Sequence, residues 1–262
     1  MKDKKEKRNY SVPNLERGMH IMELLGKNNT AMSMVEIATA LEYPNNSVFR
    51  ITASLTELGY LHRCEKSKRF SLTRKFLTLA YSAVHEYNIV EKSIHAMRTL
   101  RDDIRETVLL GTMLTDDAQL VVMAYSPSSY PFGFQIKEGT QVDVHAAAPG
   151  KAILAFLPEV EAEEILNKSK FKRYNENTIT TKRAMKVELN SIRETGYAVD
   201  NEEMVKGCHC ISVPIFNESN YPIAAIWTTG PADRLLEEHY EDIATKLKEC
   251  AAQIQRQLQV TG

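Results

Sequence analysis

Apolar residues recur every three or four positions over the first 58 residues and then switch to every second position. From Asn14 the positions Leu15, Met19, Met22 and Leu25 fall on one face of a helix that Asn14 can cap and Gly26 can end. Ser33 and Glu36 form a capping-box pattern ahead of a short helix whose inward residues are Val35, Ile37, Ala38 and Leu41. After the turn EYP, Pro44 suits the entry of a third helix, where its missing N–H is not needed. That helix, 45–58, puts Val48, Ile51, Leu55 and Leu58 on one face, and Gly59 stops it. YLHRC and RFSLT then alternate around the polar turn EKSK, as the arms of a β-hairpin do. Three helices and a hairpin in this order are the winged helix-turn-helix pattern.

A further helical stretch, KFLTLAYSAVHE, follows at 74–87, and another at 88–106 spaces Ile94, Met97, Leu100, Arg101 and Ile104 by three or four. TVLLGTML and AQLVVMAY then alternate as strands around TDDA, with FGFQIK and VDVH as further strand candidates. PGKAILAFL opens a helix, and charged helices are expected at 159–167 and 182–195. The strands GYAVD, CISVPIF and PIAAIWTTG and an amphipathic helix at 234–258 complete an α+β pattern. The expected division is a charged tail over 1–13, a winged helix-turn-helix over 14–73, a linker helix over 74–87 and an α+β domain over 88–262.

Composition refines this picture at two points. The chain has 262 residues, long enough for two cores, and its net charge of −1 hides an asymmetry. Residues 1–75 hold 14 Lys and Arg against 8 Asp and Glu, whereas the remainder holds 19 against 26. A basic first unit beside an acidic second one suits a polyanion partner for the first. No stretch reaches the run of about 20 apolar residues that spans a bilayer. The opening MKDKKEKRNYSVPN has no apolar segment behind it, so neither a secretory signal nor an anchor is expected, and the cytoplasm is the expected location. The four cysteines, Cys64, Cys208, Cys210 and Cys250, suggest no disulfide framework.

On the third helix, Asn45, Asn46, Ser47, Phe49, Arg50 and Ser54 are left for the outer face once Val48, Ile51 and Leu55 point inward. The N-terminal end of a recognition helix is the part that reaches base edges. Asn pairs with adenine and Arg with guanine through two hydrogen bonds each. Ser47 and the helix N-terminus suit a phosphate oxygen, while helix capping is the alternative role for Asn45 and Ser47. Phe49 can touch a thymine methyl or pack. In the wing, Lys66, Lys68 and Arg69 are expected near phosphates or a minor groove.

The blocks VPNLERGMHIMELL, SMVEIATALEYPNNSVFRITASLTELGYLHR, RFSLTRKFLTLA, HAAAPGKAILAFLP, RYNENTIT, IRETGYAVDNEEMVKGCHCISVPIF and AAIWTTGPADRL, in one order, resemble the IclR family of bacterial regulators. The resemblance implies a DNA-binding winged helix, a linker helix, a GAF-like domain that binds a small effector, and homodimers or tetramers. It implies a transcription regulator; a repressor is expected, with activation as the alternative, and no enzyme. Carried over by position, it puts effector contacts at Ala148, Pro149, Asp200, Cys210, Ile211, Trp227 and Thr229. Pro149 opens a helix whose N-terminal N–H groups suit a carboxylate. Trp227 stands where the family often has a small hydroxyl residue, so it either narrows the ligand site or packs in the core.

No cofactor is expected. The alternative is a metal or redox sensor on the same head. Cys208 and Cys210 can share a strand face, and Asp143 and His145 are candidate further ligands for zinc. His209 must point to the opposite face. A thiol enzyme would need a histidine within hydrogen-bond reach of Cys208 or Cys210.

Overall fold

The computed structural model describes residues 12–28, 30–76, 78–79, 89–114, 118–131 and 133–259. The chain divides into two compact units at Glu86/Tyr87.

The first unit packs α1 (Pro13–Asn28), α2 (Met34–Leu41) and α3 (Asn45–Glu57) with the hairpin β1 (Leu61–Arg63) and β2 (Phe70–Leu72). Leu61 pairs with Leu72 and Arg63 with Phe70 in an antiparallel ladder. Its core is Ile21, Leu25, Ile37, Ala38, Val48, Leu61 and Phe70. The expected capping box is present: Ser33 Oγ accepts from Glu36 N, and Glu36 Oε2 accepts from Ser33 N.

Three details of the expected pattern change. The first helix begins at Pro13, with Val12 O accepting from Leu15 N and Glu16 N, so Asn14 lies inside the first turn and does not cap it. Its buried stripe is Gly18, Ile21 and Leu25, while Leu15 and Met19 are exposed. Both stripes satisfy helical spacing; packing against α3, where Gly18 faces Ile51, selects the inner one. Val35 and Leu58 are exposed, and buried Thr52 takes a place on the inner face of α3. Its hydroxyl donates to Val48 O at 2.8 Å, which is how a polar side chain is accommodated there.

Of the expected linker helix at 74–87, residues 77 and 80–88 lie outside the described residues; 75–76 and 78–79 are helical.

The second unit is a six-stranded antiparallel sheet with helices on both faces. Its strands are β3 (Thr107–Leu114), β4 (Gln119–Ser126), β5 (Gln141–Asp143), β6 (Ala198–Asn201), β7 (Cys208–Phe216) and β8 (Pro222–Pro231), in the order β5-β4-β3-β8-β7-β6. On one face lie α4 (Ile89–Ile104) and α8 (Tyr240–Gln259), which enclose Val108, Leu110, Ile211, Val213, Ile215 and Ile226. On the other lie α5 (Ala148–Phe156), α6 (Glu159–Lys168) and α7 (Lys182–Thr195), which enclose Leu109, Leu120, Val122, Ala225 and Trp227. Strict alternation along β3, β7 and β8 makes these two separate cores.

FGFQIK is not a strand. Residues 133–137 form an irregular loop in which Phe134 and Ile136 pack onto the Trp227 core. Thr107 at the start of β3 holds this loop: its Oγ1 donates to Phe134 O and accepts from Ser128 N. The last helix starts later than the spacing suggests, at Tyr240, after a 3-10 turn at Glu237–His239.

Candidate functional site

The outer face of α3 is assembled by what its inner face buries. Val48 and Thr52 are almost wholly enclosed, with Ile51 and Leu55 half-buried beside them. Asn45, Asn46, Phe49, Arg50 and Ser54 are left exposed along one side, and Phe49 keeps 58% of its surface. A phenyl ring that open is available for contact with a partner. Pro44 is the N-cap and offers no side-chain bond, so neither Asn45 nor Ser47 caps the helix. Ser47 Oγ accepts from Arg17 Nη1 of α1 at 3.1 Å, which ties the helix start to α1. An open groove of about 550 Å³ lies there, lined by Arg17, Met19, Asn46, Ser47 and Arg50 among others.

In the wing, Lys66 and Lys68 are exposed. Lys68 lies 3.5 Å from Glu65 and has a left-handed backbone, φ 57°, in the hairpin turn. Arg69 is placed differently: its guanidinium donates to Ala31 O at 2.7 Å and Glu36 Oε1 at 2.8 Å. It braces the root of the wing against the capping box rather than extending from the wing tip.

The second candidate region is the polar end of the inner sheet face. Asp200 opposes Cys210, which opposes Thr229, which opposes Thr107, across four neighbouring strands. Trp227 and Cys208 lie on the same face. Above them stands the start of α5, with Ala148 and Pro149 buried. Its N-cap, Ala147, makes no side-chain bond. Gly150 lets the start of α5 pack against the turn at Val144, since a Cβ there would sit 2.4 Å from Val144 Cα.

Ile211 does not join this group. It belongs to the opposite core, against α4 and α8. A shift of one residue along a strand exchanges faces, and the residue that shares the face of Cys210 is Cys208. The period-two alternation of CHCISVPIF could have shown this. Trp227 is 3% exposed, and its ring lies against Gly111, where a Cβ would approach Cη2 to 3.1 Å. It therefore packs in the core of this face, one of the two roles open to it.

Around this face lies a buried ionic cluster that the sequence pattern did not reveal. Lys151 on α5 has no exposed surface and pairs with Glu203 and, at 3.0 Å, with Glu188. Burial opposes its charge, and the two carboxylates outweigh burial, so its pKa is raised. Glu203 Oε2 is buried without a hydrogen-bond partner. Burial pushes Glu203 up to about 7, against the pull of Lys151. Asp200 is pushed up to about 6, again first by burial, although it accepts from Glu203 N at 2.7 Å.

The proposed zinc ligands are not brought together. Asp143 accepts from Gln119 Nε2 and Tyr174 Oη, and His145 Nε2 lies 2.9 Å from Lys172 O. Among the described residues, no three of His, Cys, Asp and Glu gather to hold a metal ion. The thiols of Cys208 and Cys210 take Thr229 as partner, and His209 turns away to Leu235 O and Tyr240 Oη, 2.7 Å from each. The histidine that a thiol enzyme needs is not supplied by these contacts. Among the described residues, no helix is long and apolar enough to cross a membrane.

A winged helix-turn-helix with an open recognition face, followed by an α+β domain with a polar inner face, defines a transcription regulator that binds DNA and carries its own sensor domain. Comparison with known proteins agrees. Residues 14–64 match the IclR helix-turn-helix domain, and residues 81–256 match the C-terminal domain of the bacterial transcriptional regulator IclR. The chain belongs to the IclR family. It is 28% identical over 253 residues to the HTH-type transcriptional regulator KdgR of Escherichia coli, covering 97% of this chain and 95% of KdgR. It is 22% identical to the transcriptional repressor IclR of the same organism, covering 93% and 89%. The crystal structure of Thermotoga maritima IclR aligns with a TM-score of 0.69 at 32% identity, covering 93% of this chain and 98% of that one. The fold also matches an IclR homologue from Microbacterium hydrocarbonoxydans complexed with 4-hydroxybenzoate, with a TM-score of 0.81 at 20% identity, covering 95% and 100%.

Proposed function

We propose that the chain is a repressor that reads operator DNA with Asn45, Asn46, Phe49, Arg50 and Ser54. Ser47, Lys66 and Lys68 contact phosphates, and Arg69 positions the wing. The observation that carries this reading is the exposure of the polar side of α3 while Val48 and Thr52 anchor its other side. The first relatives include proteins named as repressors.

The sensor binds a small organic acid between the start of α5 and the polar sheet end formed by Asp200, Cys208, Cys210 and Thr229. Uncapped N–H groups and the positive end of the α5 dipole favour a carboxylate there. Trp227 fills the neighbouring core and bounds the ligand on that side, and a relative complexed with 4-hydroxybenzoate supports the acid class. The protein acts as a homodimer or tetramer in the cytoplasm. The ligand shifts operator affinity by its differential affinity for two arrangements of the paired heads, and by no more.

The test is fluorescence anisotropy with the full chain, comparing DNA from upstream of its own gene with a scrambled duplex at one salt concentration. The expected preference is about 10³-fold or more. Thermal-shift screening of small carboxylates should then yield a stabilising ligand, by mass action. Equal affinity for both duplexes would remove the operator reading. A stabilising acid that leaves operator affinity unchanged would remove the coupling.

A further inference from the structure

Cys208 and Cys210 stand two residues apart on β7 and therefore project from one face of the sheet. Each sulfur lies 3.2 Å from one and the same atom, Thr229 Oγ1 on the neighbouring strand. They are 8% and 9% exposed. The remaining hydrogen-bond acceptor for Cys208 is its neighbour's carbonyl, His209 O, at 3.9 Å. Asp200 stands opposite Cys210 on the next strand, while Glu106 is held by the Arg234 guanidinium. Two soft donors that converge on one atom, anchored in a sheet ladder beside Asp200, are arranged to receive a soft cation.

We propose that Cys208 and Cys210 form a two-thiolate site for a soft d10 metal ion of linear, two-coordinate habit, represented by Cu(I). Thiolate sulfur selects ions of this kind over hard ones. Zinc is disfavoured because its structural sites take four ligands and its catalytic sites three plus water. Asp143 accepts from Tyr174, His145 Nε2 faces Lys172 O while its Nδ1 has no partner, no three of His, Cys, Asp and Glu gather among the described residues, and Thr229 offers only a neutral hydroxyl. On binding, two S–H bonds break, two metal–sulfur bonds form and two protons pass to solvent; the metal keeps its oxidation state. The proposal does not depend on the organic-acid reading, but the site shares Cys208, Cys210 and Thr229 with that face, so metal and acid compete wherever both bind.

The experiment uses the full-length chain carrying Cys64→Ser, which removes the half-exposed thiol of the first unit. The protein is kept reduced under anaerobic conditions and titrated with Cu(I) against a colorimetric chelator. The expected result is one equivalent taken up, with near-ultraviolet thiolate-to-copper absorption. Cys208→Ser and Cys210→Ser should each abolish that uptake, whereas Thr229→Val, which keeps both sulfurs, should retain it. Thermal unfolding of every variant reports the fold, and Cys208→Ala replaces Cys208→Ser if the latter does not fold. Uptake that survives loss of either thiol overturns the proposal. So does absence of uptake, or Zn(II) binding as tight as Cu(I). Titration of the same protein with organic acids in the absence of metal tests the effector reading separately.

Discussion

The two units place charge in opposite ways. In the first, the polar side chains of α3 and the wing tip stand in water, and none of Arg50, Lys66 or Lys68 is buried. In the second, Lys151, Glu203 and Asp200 sit inside the protein, and burial moves the pKa of both carboxylates upward. A surface that must meet a polyanion keeps its charges solvated and mobile. A sensor face must discriminate between small molecules, and dry, fixed groups do that because an unsatisfied partner there is costly. The contrast predicts that substitutions on the recognition face change DNA binding with little effect on stability, and that substitutions in the buried ionic cluster act first on stability.

Lys151→Met tests the sensor half most severely. Removing one partner of a buried ion pair strands the other, typically at about 3–5 kcal/mol. Glu203 has an escape, since burial already raises it to about 7 and it can take up a proton. The loss, read by urea denaturation, should therefore be near the full value at pH 8 and clearly smaller at pH 5. A loss that is the same at both pH values would show that Glu203 does not carry the stranded charge.

The same groups give the sensor a pH slope. Asp200 rises from 3.8 to about 6 and Glu203 from 4.5 to about 7, in each case first through burial. A carboxyl with a raised folded pKa binds more protons folded than unfolded in the interval between its two values. Its stabilising contribution is complete below the unfolded value and is lost as pH rises through the folded one. Stability from these two groups should thus fall between about pH 4 and pH 7, and Asp200→Asn or Glu203→Gln should flatten the curve. A wild-type curve that rises over this interval, with no change in slope in either variant, would contradict the assignment.

On the head, Arg50→Ala should cost about 1–3 kcal/mol of operator affinity and relax one base position, while leaving the denaturation midpoint in place. Equal losses on operator and scrambled DNA would reduce Arg50 to a phosphate contact. Lys66→Ala should weaken both duplexes alike and flatten the salt slope by about one unit.

How much of this could be read from the sequence differs between the units for the same physical reason. Head function lies on helix faces, and the three-to-four spacing of Val48, Ile51 and Leu55 leaves Asn46, Phe49 and Arg50 outside without any knowledge of tertiary contacts. Even so, spacing alone admitted two stripes on α1, and only packing against Ile51 selected Gly18, Ile21 and Leu25. In the sensor, the six strands and their helices were legible as alternation and breakers, apart from the irregular loop at 133–137. The site depended on which face each strand residue takes: Ile211, carried over from the family resemblance, faces the opposite core, whereas Cys208 shares the face of Cys210. The Lys151–Glu203–Glu188 cluster joins residues 37 and 52 positions apart, and no local pattern announces such a pairing.

One contact complicates the clean division between a stable sensor and a solvated head, and it yields the smallest effect. Arg69 is a basic residue of the wing, yet its guanidinium reaches Ala31 O and Glu36 Oε1. Glu36 in turn closes the capping box with Ser33, and its pKa is lowered first by the Ser33 backbone N–H and then by Arg69. Cap and wing root are thus one hydrogen-bonded unit. Ser33→Ala removes the acceptor for Glu36 N and should cost about 1 kcal/mol, as loss of an N-cap does. Because the cap holds the wing through Glu36, the variant should also weaken DNA binding modestly and equally on all sequences, although Ser33 lies outside the recognition helix. Urea denaturation and anisotropy on two duplexes measure the two effects. A stability loss with unchanged DNA affinity would show that the wing is held without the cap and that Arg69 is free to follow the DNA.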